Sequence, residues 1–420
     1  MRVVIIGAGL LGVSTAYFLA EKGVEVVVLD RQPGPGLETS FANGGMITPS
    51  QADPWNSPGI LGKLIKWMGR DNAPVLLRPG AVLPLWRWGF HFLRNSTEAR
   101  FRANLAKNAR LAAYSVQTLR DLRSRLELHY DNAHMGTVRV YRDGGSLRAA
   151  LALNSTLQES GIHWQALEPA QLVALEPALR AVEALLAGGI FYPDDESGDA
   201  YQYCTLLAGH AVQRGATFRH GVTVLGLESS GREVRAVRTS AGRIEADACV
   251  LAAGSYSPVI ARSIRLAIPV QPVKGYSLTL DMGDWAAAPR VPVVDEDSHI
   301  AATPLGRRLR IAGTAEFNGF NTTVDPRRIR NMRQFVSDFY PGMRPYLAST
   351  ATSTWAGLRP YACDGVPILG ATPWRNLYLN TGHGHLGWSM AAGSGKLVAD
   401  LVCGDTPDLD LGPYQLSRFR

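Results

Sequence analysis

Arg2-Val-Val-Ile-Ile-Gly-Ala-Gly-Leu-Leu-Gly-Val13 opens the chain and runs on through a helix-period segment ending at Ala20 into a second apolar run, Val24-Glu-Val-Val-Val-Leu29, closed by Asp30. A short apolar strand, glycines at Gly7, Gly9 and Gly12, a helix, and a second strand ending in an acid make the βαβ unit that binds a dinucleotide. Gly7 permits the turn off the strand, Gly9 lets the backbone approach a pyrophosphate, and Gly12 lets the helix pack closely on the strand. The helix N-terminus offers N–H groups and the positive end of its dipole to the phosphates. Asp30 stands at the spacing of a carboxylate that accepts hydrogen bonds from the adenosine ribose hydroxyls, and an acid there argues against a bound 2′-phosphate.

At 420 residues the chain has the length for one large or two medium domains, and 46% hydrophobic against 19% charged residues is a globular balance. The net charge of +7 comes from scattered arginines and not from a basic run, so it reads as solvated surface, and no nucleic-acid partner is expected. Cys204, Cys249, Cys363 and Cys403 are far apart and form no CxxC or Cys/His pattern, which fits a reducing compartment and argues against a disulfide framework or structural zinc. The first strand follows only Met1 and Arg2, so no cleavable signal peptide fits before it. No apolar stretch approaches the ~20 residues of a spanning helix. The expectation is a cytoplasmic protein, with room for peripheral contact with the inner membrane.

Beyond Asp30 a Pro/Gly-rich loop leads to Glu38-Thr-Ser-Phe-Ala-Asn-Gly-Gly-Met-Ile47, small and hydroxyl residues suited to backbone passing close to a ligand. Between 51 and 95, Trp55, Trp67, Trp86, Trp88, Phe90 and Phe92 are interleaved with Lys63, Lys66, Arg70, Arg78, Arg87 and Arg94. Ile60-Leu-Gly-Lys-Leu-Ile-Lys-Trp-Met68 has apolar residues at helical spacing with lysines on the other face, as in an interfacial helix; the alternative is that these aromatics line a core or a pocket. The pattern then predicts a long Arg-rich helix over 98–126, a strand over 136–142, and helices over 146–159, 168–177 and 201–214. Asp194, Asp195 and Glu196 are adjacent acids whose side chains diverge, and they read as a turn capping the next helix, not as a metal site. A strand over 220–225 and a hairpin of 233–239 against 242–246 follow. Ala248-Cys-Val-Leu-Ala-Ala-Gly254 reads as a buried strand returning to the first sheet, which makes the nucleotide domain discontinuous. Residues 264–350 read as an antiparallel sheet with a helix at 327–339.

The C-terminal segment holds Trp355-Ala-Gly-Leu-Arg-Pro-Tyr361 and a strand, Leu377-Tyr-Leu-Asn380, followed by Thr381-Gly-His-Gly-His-Leu-Gly-Trp388 opening a helix that ends near Gly404. This second glycine-rich strand-to-helix turn presents donors and a positive dipole end to something anionic. A nicotinamide cofactor has no need of it, whereas a flavin that becomes anionic on reduction does. His383 and His385 lack a third ligand nearby, so no metal is expected.

The chain resembles the flavin-bearing small subunits of bacterial D-amino-acid dehydrogenases, within the D-amino-acid oxidase and glycine oxidase superfamily. The residues that carry the resemblance are 7–12, Glu38–Asn43, Pro272-Val-Lys-Gly-Tyr-Ser-Leu-Thr279, Gly357-Leu-Arg-Pro360, and 379–388. It implies an α/β (α+β overall) fold: a Rossmann-like FAD-binding domain over 1–50, 195–265 and 355–420, and an antiparallel-sheet substrate domain over 51–194 and 266–354. It implies FAD, with Val3, Gly7, Gly9, Leu10, Leu11, Gly12, Asp30 and Arg31 around the adenosine diphosphate half. Ser40, Ala42, Asn43, Gly44 and Gly45 then fall near the pyrophosphate and flavin, and Val224, Ala253 and Gly254 along the nucleotide. Gly382, His383, Gly384, Leu386, Gly387 and Trp388 fall beside the isoalloxazine.

The same resemblance puts Arg359 on the substrate carboxylate, where a guanidinium fork makes two parallel hydrogen bonds that lysine cannot, and Tyr276, as a pocket hydroxyl, and His383 complete the candidate catalytic side chains. Where the family often carries a pocket tyrosine in its first substrate loop, this chain reads Thr48-Pro-Ser-Gln51. The implied reaction is oxidation of a D-amino acid at Cα by hydride transfer to FAD, with a quinone or respiratory carrier taking the electrons. Glycine, sarcosine and D-proline are the neighbouring substrate choices.

Overall fold

A computed structural model, describing residues 1–67, 73, 75–347 and 352–419, places the strand Arg2–Ile6 between Glu25–Leu29 and Ala248–Leu251, all parallel. Among the described residues this sheet has six strands in the order Ile368–Ala371, Leu377–Thr381, Ala248–Leu251, Arg2–Ile6, Glu25–Leu29, Thr217–Arg219. Parallel strands are covered on both faces, so their sequences run apolar without interruption. Val3, Ile5, Val26 and Val28 pack among the helices Leu10–Glu21, Glu98–Leu126, Ala200–Gln213 and Ala391–Cys403. Val4, Ile6, Val27 and Leu29 face the other way, onto a three-stranded meander through Leu227, Val234, Val237 and Ile244. The first helix lies close on its strand because Gly12 has no side chain: a Cβ there would sit 1.8 Å from the Gly7 carbonyl oxygen.

The second sheet has nine strands among the described residues. Val270–Asp281 is its spine, antiparallel to Arg308–Phe317 on one side and to Ser353–Ala362 on the other. Alternation sorts its side chains. Leu278, Leu280, Leu309, Ile311, Val138 and Val140 meet Ile329, Met332, Phe335 and Val336 of the helix Pro326–Phe339 in one core, and on the opposite face Arg139 and Ala312 line a cavity shared with the first sheet.

Three expectations change. The strand placed over 220–225 is two strands, Thr217–Arg219 and Val224–Ser230, separated by a reversal at Gly221, whose φ of +69° favours glycine. Residues 355–362, expected with the nucleotide-binding pieces, form the last strand of the nine-stranded sheet, because Gly357 pairs with Gly275 and Arg359 with Val273. The turn after Leu377–Thr381 does not open directly into a helix: Gly384–Leu386 is a 3₁₀ turn and the α-helix starts at Ala391. One of its early donors, the Gly393 N–H, is bonded to the Ser115 hydroxyl at 3.0 Å. Met68 and Arg70 of the aromatic and basic stretch lie outside the described residues.

Candidate active site

The turn off the first strand is built to stay open. A Cβ on Gly7 would meet the Ala252 carbonyl oxygen at 2.6 Å, and its φ is +108°, so the two strand ends can lie this close only around glycine. Gly9 is the N-cap of the first helix, with no side chain of its own to cap it. The Ser40 hydroxyl accepts from the Leu10 N–H at 3.2 Å, which brings the 38–45 loop over the helix N-terminus. That loop is held from the second sheet: Ser277 donates to the Ala42 carbonyl at 2.7 Å, Arg310 to the Asn43 carbonyl at 2.8 Å, and Thr39 to the Leu358 carbonyl at 2.9 Å. Asp30 accepts from the Ala8 N–H at 2.6 Å and the Gln32 N–H at 2.8 Å. Burial raises its pKa above the ordinary carboxylate value against these donors, and each oxygen keeps a lone pair for a further donor.

Of the residues marked in the sequence, Gly7, Gly9, Leu10, Leu11, Asp30, Arg31, Ser40, Ala42, Asn43, Gly44, Gly45, Val224, Ala253 and Gly254 line one continuous cavity of about 1050 Å³. Tyr276, Arg359, His383, Gly384, Gly387 and Trp388 line it too. Val3, Gly12, Gly382 and Leu386 stand outside its wall. Val3 and Leu386 are buried in the helix-covered core, and Gly382 packs toward Ile368, Val270 and Ala362. Asp53, Trp55, Arg139, Glu296, Thr314 and His385 line the cavity as well. Of these, Arg139 could have been read from the sequence, as the one charged residue between the two inward valines of Thr137–Tyr141.

Arg359 is placed by three features of the second sheet. Its strand neighbour Gly275 leaves room for the guanidinium, since a Cβ there would lie 2.4 Å from Nη1. Thr314, at φ +59°, turns its carbonyl to accept from Arg359 Nη1 at 2.8 Å, beside a register shift between Lys274 and Tyr276 that re-aims the backbone as bulges do. The Trp55 ring lies 5.8 Å from the guanidinium carbon and is stacked on Tyr361 and His385 at 4.8 and 5.3 Å. No carboxylate pairs with Arg359 among the described residues, and burial alone lowers its pKa to about 10. The site therefore holds a positive charge whose natural complement is an anion from outside the chain.

Tyr276 donates its hydroxyl to Glu316, which also accepts from Arg78 Nε at 2.8 Å; burial and this acceptor raise the tyrosine pKa. Its oxygen is thus committed to the protein. His383 faces the Ser394 hydroxyl at 3.0 Å, and burial lowers its pKa to about 3. His385 Nε2–H donates to the Gln51 carbonyl at 3.1 Å and its pKa falls to about 4, chiefly through burial. Both imidazoles are neutral at pH 7. Among the described residues no group of three or more His, Cys, Asp or Glu could hold a metal ion.

A glycine turn and an acid at one end of a closed-in cavity, with an unpaired arginine at the other, define a dinucleotide-binding protein that handles a small anion beside its cofactor. The chain belongs to the FAD dependent oxidoreductase family (DAO), which matches residues 2–401. It is 44% identical to the D-amino acid dehydrogenase of Paramagnetospirillum magneticum over 420 residues, covering 100% of this chain and 99% of that one. The D-amino acid dehydrogenase of Granulibacter bethesdensis is 41% identical over 419 residues, with 100% of both chains covered. Among solved structures, the fold is similar to that of glycine oxidase from Geobacillus kaustophilus, with a TM-score of 0.77 and 22% identity over 99% of each chain. It is also similar to that of L-proline dehydrogenase from P. horikoshii, with a TM-score of 0.78 and 19% identity over 100% of this chain and 97% of that one.

Proposed function

We propose that the protein oxidises D-amino acids to 2-oxo acids and ammonia. The observation that carries this reading is Arg359: a cavity-facing guanidinium, fixed by a backbone carbonyl through one nitrogen and left without an acid. The relatives named D-amino acid dehydrogenase, similar over their full length, support the D-configuration. FAD fits the residues present. The cradle at Gly7 and Gly9, the Ser40 hydroxyl, and the Asp30 carboxylate supply a pyrophosphate seat and a ribose acceptor, and the 383–388 turn forms the wall for the ring system.

When bound, FAD supplies the acceptor for a hydride equivalent, the one piece of chemistry the side chains cannot provide. Arg359 binds the substrate carboxylate with its remaining N–H groups and so fixes the direction of the Cα–H bond. This contribution is one of positioning. Trp55 and His385 line the cavity as a flat stacked wall beside the carboxylate, with Tyr361 packed behind Trp55, and this wall keeps water from the reacting carbon. The neutral histidines add no positive charge to oppose the amine, and the Arg139 guanidinium that also lines the cavity is paired with Asp53 at 3.1 Å. Loss of two electrons and a proton from Cα and of a proton from nitrogen gives the imino acid, which water hydrolyses.

Replacing Arg359 by Leu is expected to raise KM roughly a hundredfold, the ~3 kcal/mol of a charge-assisted pair, while FAD stays bound. The test is anaerobic bleaching of the flavin by a panel of D- and L-amino acids, glycine, sarcosine and D-proline. Bleaching by L-amino acids alone, or an unchanged KM in the Arg359 variant, would sink the assignment.

We propose further that the electrons pass to a quinone or another membrane-held carrier at the rim formed by the helices Ile60–Trp67 and Pro79–Arg94. Leu61, Ile65, Trp86, Phe90 and Leu93 are exposed there, beside exposed Lys63, Lys66, Arg87 and Arg94. Leu61, Lys63, Trp86 and Leu93 also line the cavity, so the rim is continuous with the site. Apolar side chains ringed by basic ones suit peripheral attachment. Among the described residues no helix is long and apolar enough to cross a membrane.

A further inference from the structure

The part of the cavity wall formed by the nine-stranded sheet carries charge that the oxidation itself does not use. Arg139 is about nine-tenths buried, on a strand whose Val138 and Val140 turn to the core. Its Nη2 donates to Asp53 Oδ1 and to the Ser50 carbonyl, each at 3.1 Å, and its Nε lies 3.6 Å from Glu296 Oε1 without a hydrogen-bond acceptor. One guanidinium therefore faces two carboxyl groups. It satisfies one oxygen of Asp53 at hydrogen-bond distance and none of Glu296. Both acids line the cavity, and the Asp53 side chain is 45% exposed to it.

The charges do not balance. Burial works to raise the Asp53 pKa, but Arg139 and His385 hold it below the ordinary carboxylate value, while burial raises Glu296. With both acids ionised the three groups carry one negative charge too many. His385 lies within electrostatic reach of both Arg359 and Asp53, so the excess negative charge and the unpaired positive one belong to the same chamber.

We propose that Asp53 and Glu296, braced by Arg139, form the subsite for the substrate side chain and select D-amino acids whose side chain is cationic. This assignment rests on the amine oxidation proposed above. An ammonium or guanidinium brings donors and no acceptors, which is what the unfilled carboxyl oxygens lack, and it cancels the surplus charge. The methylene stem of such a side chain suits the face of Trp55. An acidic side chain would meet two carboxyls, and an apolar one would leave them desolvated without a partner.

The test compares side chains of equal length that differ in charge: D-lysine against D-2-aminoheptanoate, and D-arginine against D-citrulline, by steady-state kinetics on the FAD-bound enzyme. The cationic member of each pair is expected to have a kcat/KM at least tenfold higher. Asp53→Asn and Glu296→Gln are each expected to lower that ratio at least tenfold, through the KM of the cationic substrate, with flavin content and spectrum reporting that the fold is intact. If one variant fails to fold, the other carries the ratio. Wild-type ratios at or below one overturn the subsite. So does a variant that weakens both members of a pair equally, since the carboxylate would then receive the α-ammonium that all substrates share. Reduction by neutral D-amino acids without charge preference removes only this subsite, whereas no reduction by any D-amino acid removes the proposed function itself.

Discussion

Arg359 shows what a motif encodes and what it conceals. The Gly-Leu-Arg-Pro run pointed to the guanidinium, yet the residue that gives it room is Gly275, on the neighbouring strand and more than eighty positions earlier in the chain. A Cβ at Gly275 would press on the mobile end of Arg359, with Nη1 at 2.4 Å and Cζ at 2.5 Å, and not on backbone. Gly275→Ala is therefore expected to fold and to hold FAD normally while KM for the amino acid rises about tenfold or more, because the fork is displaced from its Thr314 anchor. Kinetics with a flavin titration checks this, and an unchanged KM would show that the fork has a second seat. Tyr276 runs the other way. Its place in the Pro272–Thr279 stretch suggested a pocket hydroxyl, but that hydroxyl is spent on Glu316, a buried acid that no local pattern links to it. Side-chain partners across a sheet are set by register, which the sequence does not display.

Among the elements, the helices at the rim show how far periodicity can be read. The aromatic and basic stretch allowed two readings, an interfacial surface or a buried lining, and the structure divides the residues between them by helical phase. Ile60 and Leu64 turn inward while Leu61 and Ile65 are exposed; Trp88 and Phe92 turn inward while Trp86 and Phe90 are each 62% exposed. Each inward or outward pair is four residues apart, one helical turn. The sequence contained both faces, and it hid only which face met the protein. Exposed tryptophan and phenylalanine beside lysine and arginine should bind an anionic bilayer. Co-sedimentation with vesicles containing phosphatidylserine or phosphatidylglycerol is expected for the wild type, weakening as salt screens the basic residues. It should fall severalfold in the Ile65→Ser, Phe90→Ser double variant, whose solution activity toward a soluble dye acceptor should change little because neither side chain lines the cavity. A wild-type protein that stays in the supernatant at low salt would contradict a membrane-facing rim.

For the molecule as a whole, the centre of the first sheet was legible because Arg2–Ile6, Glu25–Leu29 and Leu377–Thr381 carry a local signal, and the chain's return to that sheet was visible in Ala248–Gly254; its edge strands Thr217–Arg219 and Ile368–Ala371 were not. How the second sheet meets the first was not, because that junction is made by scattered polar side chains. Asp195 is the most buried of them that titrates near neutrality. Its Oδ1 accepts from the Ser50 N–H at 3.3 Å, and its Oδ2 accepts from the Ser50 hydroxyl at 2.5 Å and from the Thr137 hydroxyl, joining the segment that follows the nucleotide loop to the nine-stranded sheet. The sequence placed it in a run of three acids that reads as a turn. Burial raises its pKa from 3.8 to about 6, against the hydroxyl donors. The folded chain thus holds this proton more tightly than the unfolded chain does, so the contribution of Asp195 to stability is full below about pH 4 and declines as pH rises to about 6. Above that it stays constant, at a loss of the order of 3 kcal/mol. Asp195→Asn keeps the shape and the Ser50 N–H bond, and the two hydroxyls can rotate to accept from the new amide. Relative to wild type, the variant's Tm should therefore rise by a few degrees between pH 4.5 and pH 7.5, with no such change between pH 7.5 and pH 8.5. Parallel melting curves over this range, on FAD-bound protein of equal flavin content, measure the difference directly. A constant offset across all pH values would mean that Asp195 keeps an ordinary pKa and that the junction is held by its hydrogen bonds alone.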